Sequence, residues 1–153
     1  MKTAFQGDTV VVDLDGTLAD CSARQHLVIG THRDYDAFHA RLAEDPVHEP
    51  IAALMRAMVR AGHEVVLVTA RPHSTRAATY AWLKERGLEN DFHALFLLRP
   101  DGDSTPAVVL KRSWLCAFGP ERVLFAVDDD ARNAAMFREA GVVCLHCADW
   151  TVR

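Results

Sequence analysis

The chain has 153 residues, half of them apolar and a quarter charged, with a net charge of −4. This length supports one domain with a real core, and the acidic balance argues against a protein that coats nucleic acid through basic phosphate contacts. No apolar run reaches membrane-spanning length, and Met1 to Asp8 lacks the basic and apolar parts of a signal peptide; the expectation is a cytoplasmic protein with no membrane partner.

Thr9 to Leu14 is a short apolar run that reads as a buried strand. It leads into Asp13-Leu14-Asp15-Gly16-Thr17. Residues i and i+2 of a strand share a face, so Asp13 and Asp15 are expected to point into one site at the strand's carboxyl end. Two like charges held that close are costly unless a cation or a shared proton relieves them. Residues 19–49 interrupt the pattern: they are rich in His, Arg and Asp, with one helical stretch at Tyr35 to Leu42. Following the first strand directly, they are expected over its carboxyl end, either as a solvated loop and helix or as a small lid. Arg24, His26 and Arg33 are the candidates there for touching a substrate.

The rest of the chain alternates helix and strand. Pro50 to Ala61 carries Ile51, Leu54, Met55 and Met58 at helical spacing, with Gly62 just past the end. Glu64 to Thr69 is a β-branched run that leads into Thr69-Ala70-Arg71. Ser74 to Arg86 reads as a helix with Ser74 as N-cap and Gly87 as its stop. Ala94 to Leu98 is a third strand. Thr105 to Phe118 is helical, suits Pro106 in its first turn, and carries Lys111. Arg122 to Val127 is a fourth strand that runs into Asp128-Asp129-Asp130. Asp130 is placed to cap the helix over Asp130 to Ala140, where a carboxylate accepts N–H bonds. Val142 to His146 is a fifth strand. Trp82, Trp114 and Phe137 sit at core-like helical positions. The four cysteines, Cys21, Cys116, Cys144 and Cys147, read as plain thiols; the C-x-x-C pair Cys144/Cys147 lacks the second ligand pair that a zinc site needs.

Apolar strands separated by helices predict an α/β, Rossmann-like three-layer sandwich, with a central parallel sheet of about five strands and a small helical insert after strand 1. Ligands of such sheets bind outside the carboxyl ends of the strands. Asp13, Asp15, Thr69, Asp128 and Asp129 fall at those ends, and Lys111 lies in the helix before the fourth strand. The set suits phosphoryl transfer. Magnesium prefers hard oxygen ligands, and Asp13 with an acid of the fourth strand can hold it. An ionised carboxylate attacks phosphorus without a base, which suits Asp13. Asp15 can protonate the leaving oxygen and then deprotonate the hydrolytic water. Thr69 and Lys111 can bind the phosphoryl oxygens, and Arg71 has the bidentate fork that suits phosphate.

The arrangement resembles the haloacid dehalogenase-like phosphohydrolases, whose four motifs match Asp13-Leu-Asp15-Gly16-Thr17, Thr69, Lys111 and Asp128-Asp129. The resemblance implies a nucleophile at Asp13 and a general acid/base at Asp15. It also implies magnesium held by Asp13, the main-chain carbonyl of Asp15, and Asp128 or Asp129. The stretch Val66-Leu-Val-Thr-Ala-Arg-Pro and the segment Leu98-Arg99-Pro100-Asp101-Gly102-Asp103 are similar to the 3′-phosphatase half of phage-type polynucleotide kinases. This closer resemblance implies that Arg71, Arg99, Gly102 and Asp103 lie by the site, with Arg71 and Arg99 binding substrate, and that the substrate is a DNA or RNA 3′-phosphate. The chain has no G-x-x-x-x-G-K-[ST] sequence, and Asp130 stands where that family often has Arg. A nucleotide or other small phosphomonoester is the alternative substrate, and a non-catalytic phosphate-binding module the alternative role.

Overall fold

The strands of the sheet sort the apolar side chains into two cores. In the computed structural model, which describes residues 7–149, five strands form one parallel sheet. They are β1 (Thr9–Val12), β2 (Glu64–Pro72), β3 (Ala94–Arg99), β4 (Val123–Asp128) and β5 (Cys144–His146), in the order β3-β2-β1-β4-β5. Residues 1–6 of the N-terminal stretch judged above, and Trp150, lie outside the described residues. Central β1 pairs Val10 with Val65 and Val12 with Leu67 on one side, and Val12 with Val127 on the other. Val10 and Val12 face one core together with Val65, Leu67, Leu95 and Leu97. Val11 faces the other with Val66, Val68, Val123 and Ala126. Both faces being covered, every residue of β1 is buried, which is why its sequence shows no apolar–polar alternation.

Two helices cover each face. Helices α2 (Glu49–Arg60) and α3 (Arg76–Glu85) bring Ala52, Met55, Trp82 and Leu83 to the first core. Helices α4 (Ala107–Phe118) and α5 (Ala131–Glu139) bring Leu115, Ala134, Met136 and Phe137 to the second. Trp82 is fully buried and its indole N–H donates to the Asp45 carbonyl; Trp114 stacks on Phe118 with centroids 4.8 Å apart. Among the described residues no helix is long and apolar enough to cross a membrane.

Three expectations about helix starts and lengths need correction. Helix α3 begins at Arg76, because His73–Thr75 forms a 3-10 turn and the Ser74 amide donates to Asp101 Oδ1 at 2.8 Å instead of opening a helix. Pro106 is extended and sits before α4, its carbonyl accepting from Val109 and Leu110. In the insert, helix α1 (Tyr35–Ala40) stops two residues early, and Leu42–Glu44 and Gln25–Leu27 are 3-10 turns. Asp130 does cap α5, accepting from the Arg132 amide. All four cysteines are free thiols.

Candidate active site

The motif after β1 leaves the sheet as a tight loop. The Asp13 amide still bonds the Val127 carbonyl of β4 at 3.1 Å. The chain then reverses, with the Thr17 and Ala19 amides donating to the Leu14 carbonyl and the Gly16 amide to the Ala19 carbonyl. Gly16 takes a φ of 85° in this reversal, a conformation that side chains disfavour. The insert anchors the same loop: the His48 ring donates from Nδ1 to the Thr17 carbonyl at 2.7 Å.

The loop sends Asp13 and Asp15 into different electrostatic surroundings. Asp13 meets Lys111 from α4, whose ammonium donates to Asp13 Oδ1 at 2.8 Å and to Asp128 Oδ2 at 2.6 Å. Carboxylate oxygens of Asp13, Asp128 and Asp129 all lie within 4.8 Å of one another. Thr17, fully buried, has its hydroxyl 3.2 Å from Asp13 Oδ2 and 3.1 Å from Asp129 Oδ1. Asp128 is held from the far side by the Asp130 amide and the Asn133 side-chain amide. Burial pushes the Asp13 carboxyl well above the usual carboxylate range; Lys111 opposes the rise, and repulsion from Asp128 and Asp129 adds to it. Burial works against charge on Lys111 too, yet Asp128 and Asp13 more than offset it, so the ammonium persists. Three carboxylates and one ammonium leave a formal charge of −2 in a small buried volume. Hard oxygen donors around such an excess fit a divalent cation such as magnesium.

Asp15 is caged by arginines. Arg71 of β2, its side chain fully buried, donates from Nη2 to Asp15 Oδ1 at 2.7 Å and from Nε to Oδ2 at 3.0 Å. Its remaining Nη1 donates to the Thr79 hydroxyl at 3.0 Å. Arg24 of the insert bridges Asp15 and the buried Asp45, and donates from Nη1 to the Phe38 carbonyl at 2.9 Å. Burial alone would raise the Asp15 carboxyl; Arg71 and then Arg24 outweigh it and hold the group far below the ordinary range.

With this geometry in place, the chain can be set beside known proteins. The profile of the family described as "Polynucleotide kinase PNKP phosphatase domain" matches residues 7–150. The chain belongs to this haloacid dehalogenase-like family. No curated protein sequence matches it. Among solved structures it is similar to a chain of "the Pnkp1/Rnl/Hen1 RNA repair complex", with a TM-score of 0.76 and 22% identity over 92% of this chain and 42% of that one. A second Pnkp1/Rnl/Hen1 structure gives a TM-score of 0.78 at 22% identity over 95% and 48%. The chain therefore spans less than half the length of these two neighbours. CbbY from Rhodobacter sphaeroides, in complex with xylulose-1,5-bisphosphate, gives a TM-score of 0.61 at 17% identity over 91% and 85%. These likenesses show the haloacid dehalogenase-like fold.

Within this phosphatase-domain fold the residues singled out in the sequence divide into two kinds. Asp13, Lys111, Asp128 and Asp129 come together as one cluster. The Asp15 side chain stands outside that cluster, in the arginine cage. Thr69 is buried two residues before Arg71, and its hydroxyl accepts from the Arg71 amide at 3.2 Å. Arg71, expected to grip phosphate, has its guanidinium directed at Asp15 and Thr79 instead. Arg99, also expected to bind substrate, donates to the carbonyls of Ala70, Asp103 and Thr105, which ties the loop after β3 to the end of β2. Gly102 lies in that loop at a φ of 77°. Arg24, one of three insert candidates for substrate contact, is 1% exposed and engaged; His26 and Arg33 are exposed. Four residues with evident roles in the site were not singled out: Thr17, Asp45, Phe38 and Asn133. The Thr17 signal was present in its place beside Gly16; the others carry no local pattern.

Proposed function

We propose that this chain is a magnesium-dependent phosphatase domain, with residues 19–49 as its small cap, that removes 3′-phosphates from nucleic-acid ends through an aspartyl-phosphate at Asp13. The observation that carries the reading is the divergence of two carboxylates only two residues apart. One sits with Asp128, Asp129 and Lys111 in an acidic cluster that suits a cation and a phosphoryl group, the other is held in one orientation by Arg24 and Arg71. A cation at the cluster would favour the ionised form of Asp13 that attacks phosphorus.

In the first step an Asp13 oxygen attacks phosphorus, the bond to the leaving oxygen breaks, and that oxygen takes a proton from Asp15. The cage holds Asp15 ionised before substrate binds; a phosphomonoester entering as its monoanion brings the proton, and its negative charge raises the proton affinity of Asp15, which takes that proton and returns it to the leaving oxygen. In the second step a water attacks the aspartyl-phosphate, Asp15 accepts the water's proton, the Asp13–phosphorus bond breaks, and inorganic phosphate leaves. Lys111 and the Thr69 hydroxyl steady the phosphoryl oxygens. Asp13, the Asp15 carbonyl and an acid of the Asp128-Asp129 pair would hold magnesium, which would supply charge that offsets the repulsion between nucleophile and phosphate. Arg24 and Arg71 act as positioning residues that fix Asp15.

Support for the substrate class comes from the family, and from the likeness to a chain of an RNA repair complex. The test is phosphate release, with magnesium, from a 3′-phosphorylated oligonucleotide against a panel of mononucleotides and sugar phosphates. The oligonucleotide is expected to be the best substrate. Activity confined to the small phosphoesters would overturn the nucleic-acid reading while leaving the phosphatase intact.

A further inference from the structure

The short helix α1 rests on the Asp15 cage. At its amino end the Tyr35 phenol lies in electrostatic range of Arg132, which is paired to Asp130 just past β4. Toward its carboxyl end the His39 ring lies in electrostatic range of Asp15 after β1, Arg71 and Arg99 in the last residues of β2 and β3, and Arg24 of the insert. Those neighbours lie at the carboxyl ends of the strands, so α1 lies on that side of the sheet. It is pinned there from below: the Arg24 guanidinium that holds Asp15 donates to the Phe38 carbonyl and lies over the Phe38 ring at 3.9 Å.

Tyr35 and His39 are one helical turn apart and therefore share a face of α1. Phe38 is the core residue of the helix, and His39 is half-buried with its ring edge-on to Phe38, centroids 5.4 Å apart. Tyr35 is 51% exposed, a large aromatic surface in water. It lines an open cleft of about 540 Å³ together with His32 and Arg33. The Arg33 guanidinium reaches the Tyr35 hydroxyl at 3.5 Å and Arg132 stands nearby, 75% exposed. Asp34 and Asp36 also border the cleft, but Asp34 is engaged in capping α1. The Nδ1 atom of His39 is buried with no hydrogen-bond partner, an arrangement that folded proteins avoid unless something else satisfies the group.

We propose that the Tyr35–His39 face of α1 is the subsite for the nucleotide that carries the scissile phosphate. Tyr35 stacks on its base, His39 hydrogen-bonds its sugar, and Arg33 and Arg132 meet the next backbone phosphate. An exposed aromatic flanked by guanidinium groups is the chemistry that holds single-stranded nucleic acid without reading its sequence. The inference rests on the proposed 3′-end substrate, and two phosphoesters separate them. The measured quantity is the ratio of kcat/KM for a 3′-phosphorylated oligonucleotide to that for 4-nitrophenyl phosphate, which has no base or sugar. Tyr35→Ala is expected to lower this ratio about tenfold, with Tyr35→Phe restoring it, since stacking survives loss of the hydroxyl. His39→Ala is expected to lower it as well. A ratio unchanged in both alanine variants overturns the inference, as does a parallel loss on both substrates, which would mean that α1 only supports the fold. If the wild-type protein cleaves 4-nitrophenyl phosphate but no oligonucleotide, the substrate reading fails first and takes this subsite with it.

Discussion

Asp13 and Asp15 leave the same strand end, yet their surroundings oppose each other. Around Asp13 acids outnumber bases: Asp128 and Asp129 press on it, and a single ammonium, Lys111, offsets them. Around Asp15 the count balances, with Arg24 and Arg71 set against Asp15 and Asp45. The first cluster is incomplete without further positive charge, and the second is complete as it stands. The difference teaches that one loop can serve two chemistries when different elements supply the counter-charges. Lysine and acids come from α4 and β4, arginines from the insert and β2. A cluster short of cation suits a metal and an anionic group in flight, whereas a closed ion-pair cage suits a residue that must keep one orientation while it handles a proton.

Substitutions can break this comparison at several strengths. Asp13→Asn should remove turnover by about 10⁴-fold or more while leaving the circular dichroism spectrum and melting temperature close to wild type; near-normal turnover would take the nucleophile's role from Asp13. Arg24→Ala leaves the buried Asp45 without its guanidinium and removes one of the two that hold Asp15, and should cost about 3–5 kcal/mol in urea unfolding. A loss below about 1 kcal/mol would mean that the cage behaves as an ordinary surface pair. On the Asp13 side, magnesium at a hundredfold excess over its dissociation constant should stabilise the fold by about 2.7 kcal/mol. The gain should appear as a raised melting temperature that EDTA reverses and Asp128→Asn abolishes; an equal rise in that variant would place the ion elsewhere.

The smallest effect concerns acid. The cage lowers the folded pKa of Asp15 below its unfolded value of about 3.9, so its stabilisation is full above that value and declines as the pH falls through the folded pKa. The stability gap between wild type and Asp15→Asn should therefore stay constant from about pH 7 to pH 5 and narrow only below about pH 4. A gap that already closes near pH 6 would contradict a cage of this strength.

The strands and the acids at their ends were legible in the sequence because each is local. Val10 to Val12 announces a buried strand, and Asp13, Asp15, Asp128 and Asp129 stand directly after apolar runs. Gly62 and Gly87 mark helix ends in the sequence, and each has a positive φ there. The partners of Asp15 were harder. Arg24 lies in a polar stretch without periodicity, and its partner Asp45 is 21 residues away in sequence, so nothing local joins them. Arg71 could be placed near the site but not aimed: the same fork that suits phosphate suits a carboxylate, and only the fold decides which one it meets. Ser74 and Pro106 have the residue types that helix starts favour, but Asp101 captures the Ser74 amide and Pro106 stops one position short of the helix.

The division of labour between the two acids is tested most directly by trapping the intermediate. Asp15→Asn should still transfer phosphate from 4-nitrophenyl phosphate, whose leaving group needs no acid, but should be slow to activate the water of the second step. Rapid acid quench followed by intact-protein mass spectrometry should then find the variant heavier by one phosphoryl group, with the label on Asp13 and absent from the double variant Asp13→Asn/Asp15→Asn. An Asp15→Asn protein that turns over without any mass gain, or a gain that persists when Asp13 is replaced, would contradict the account.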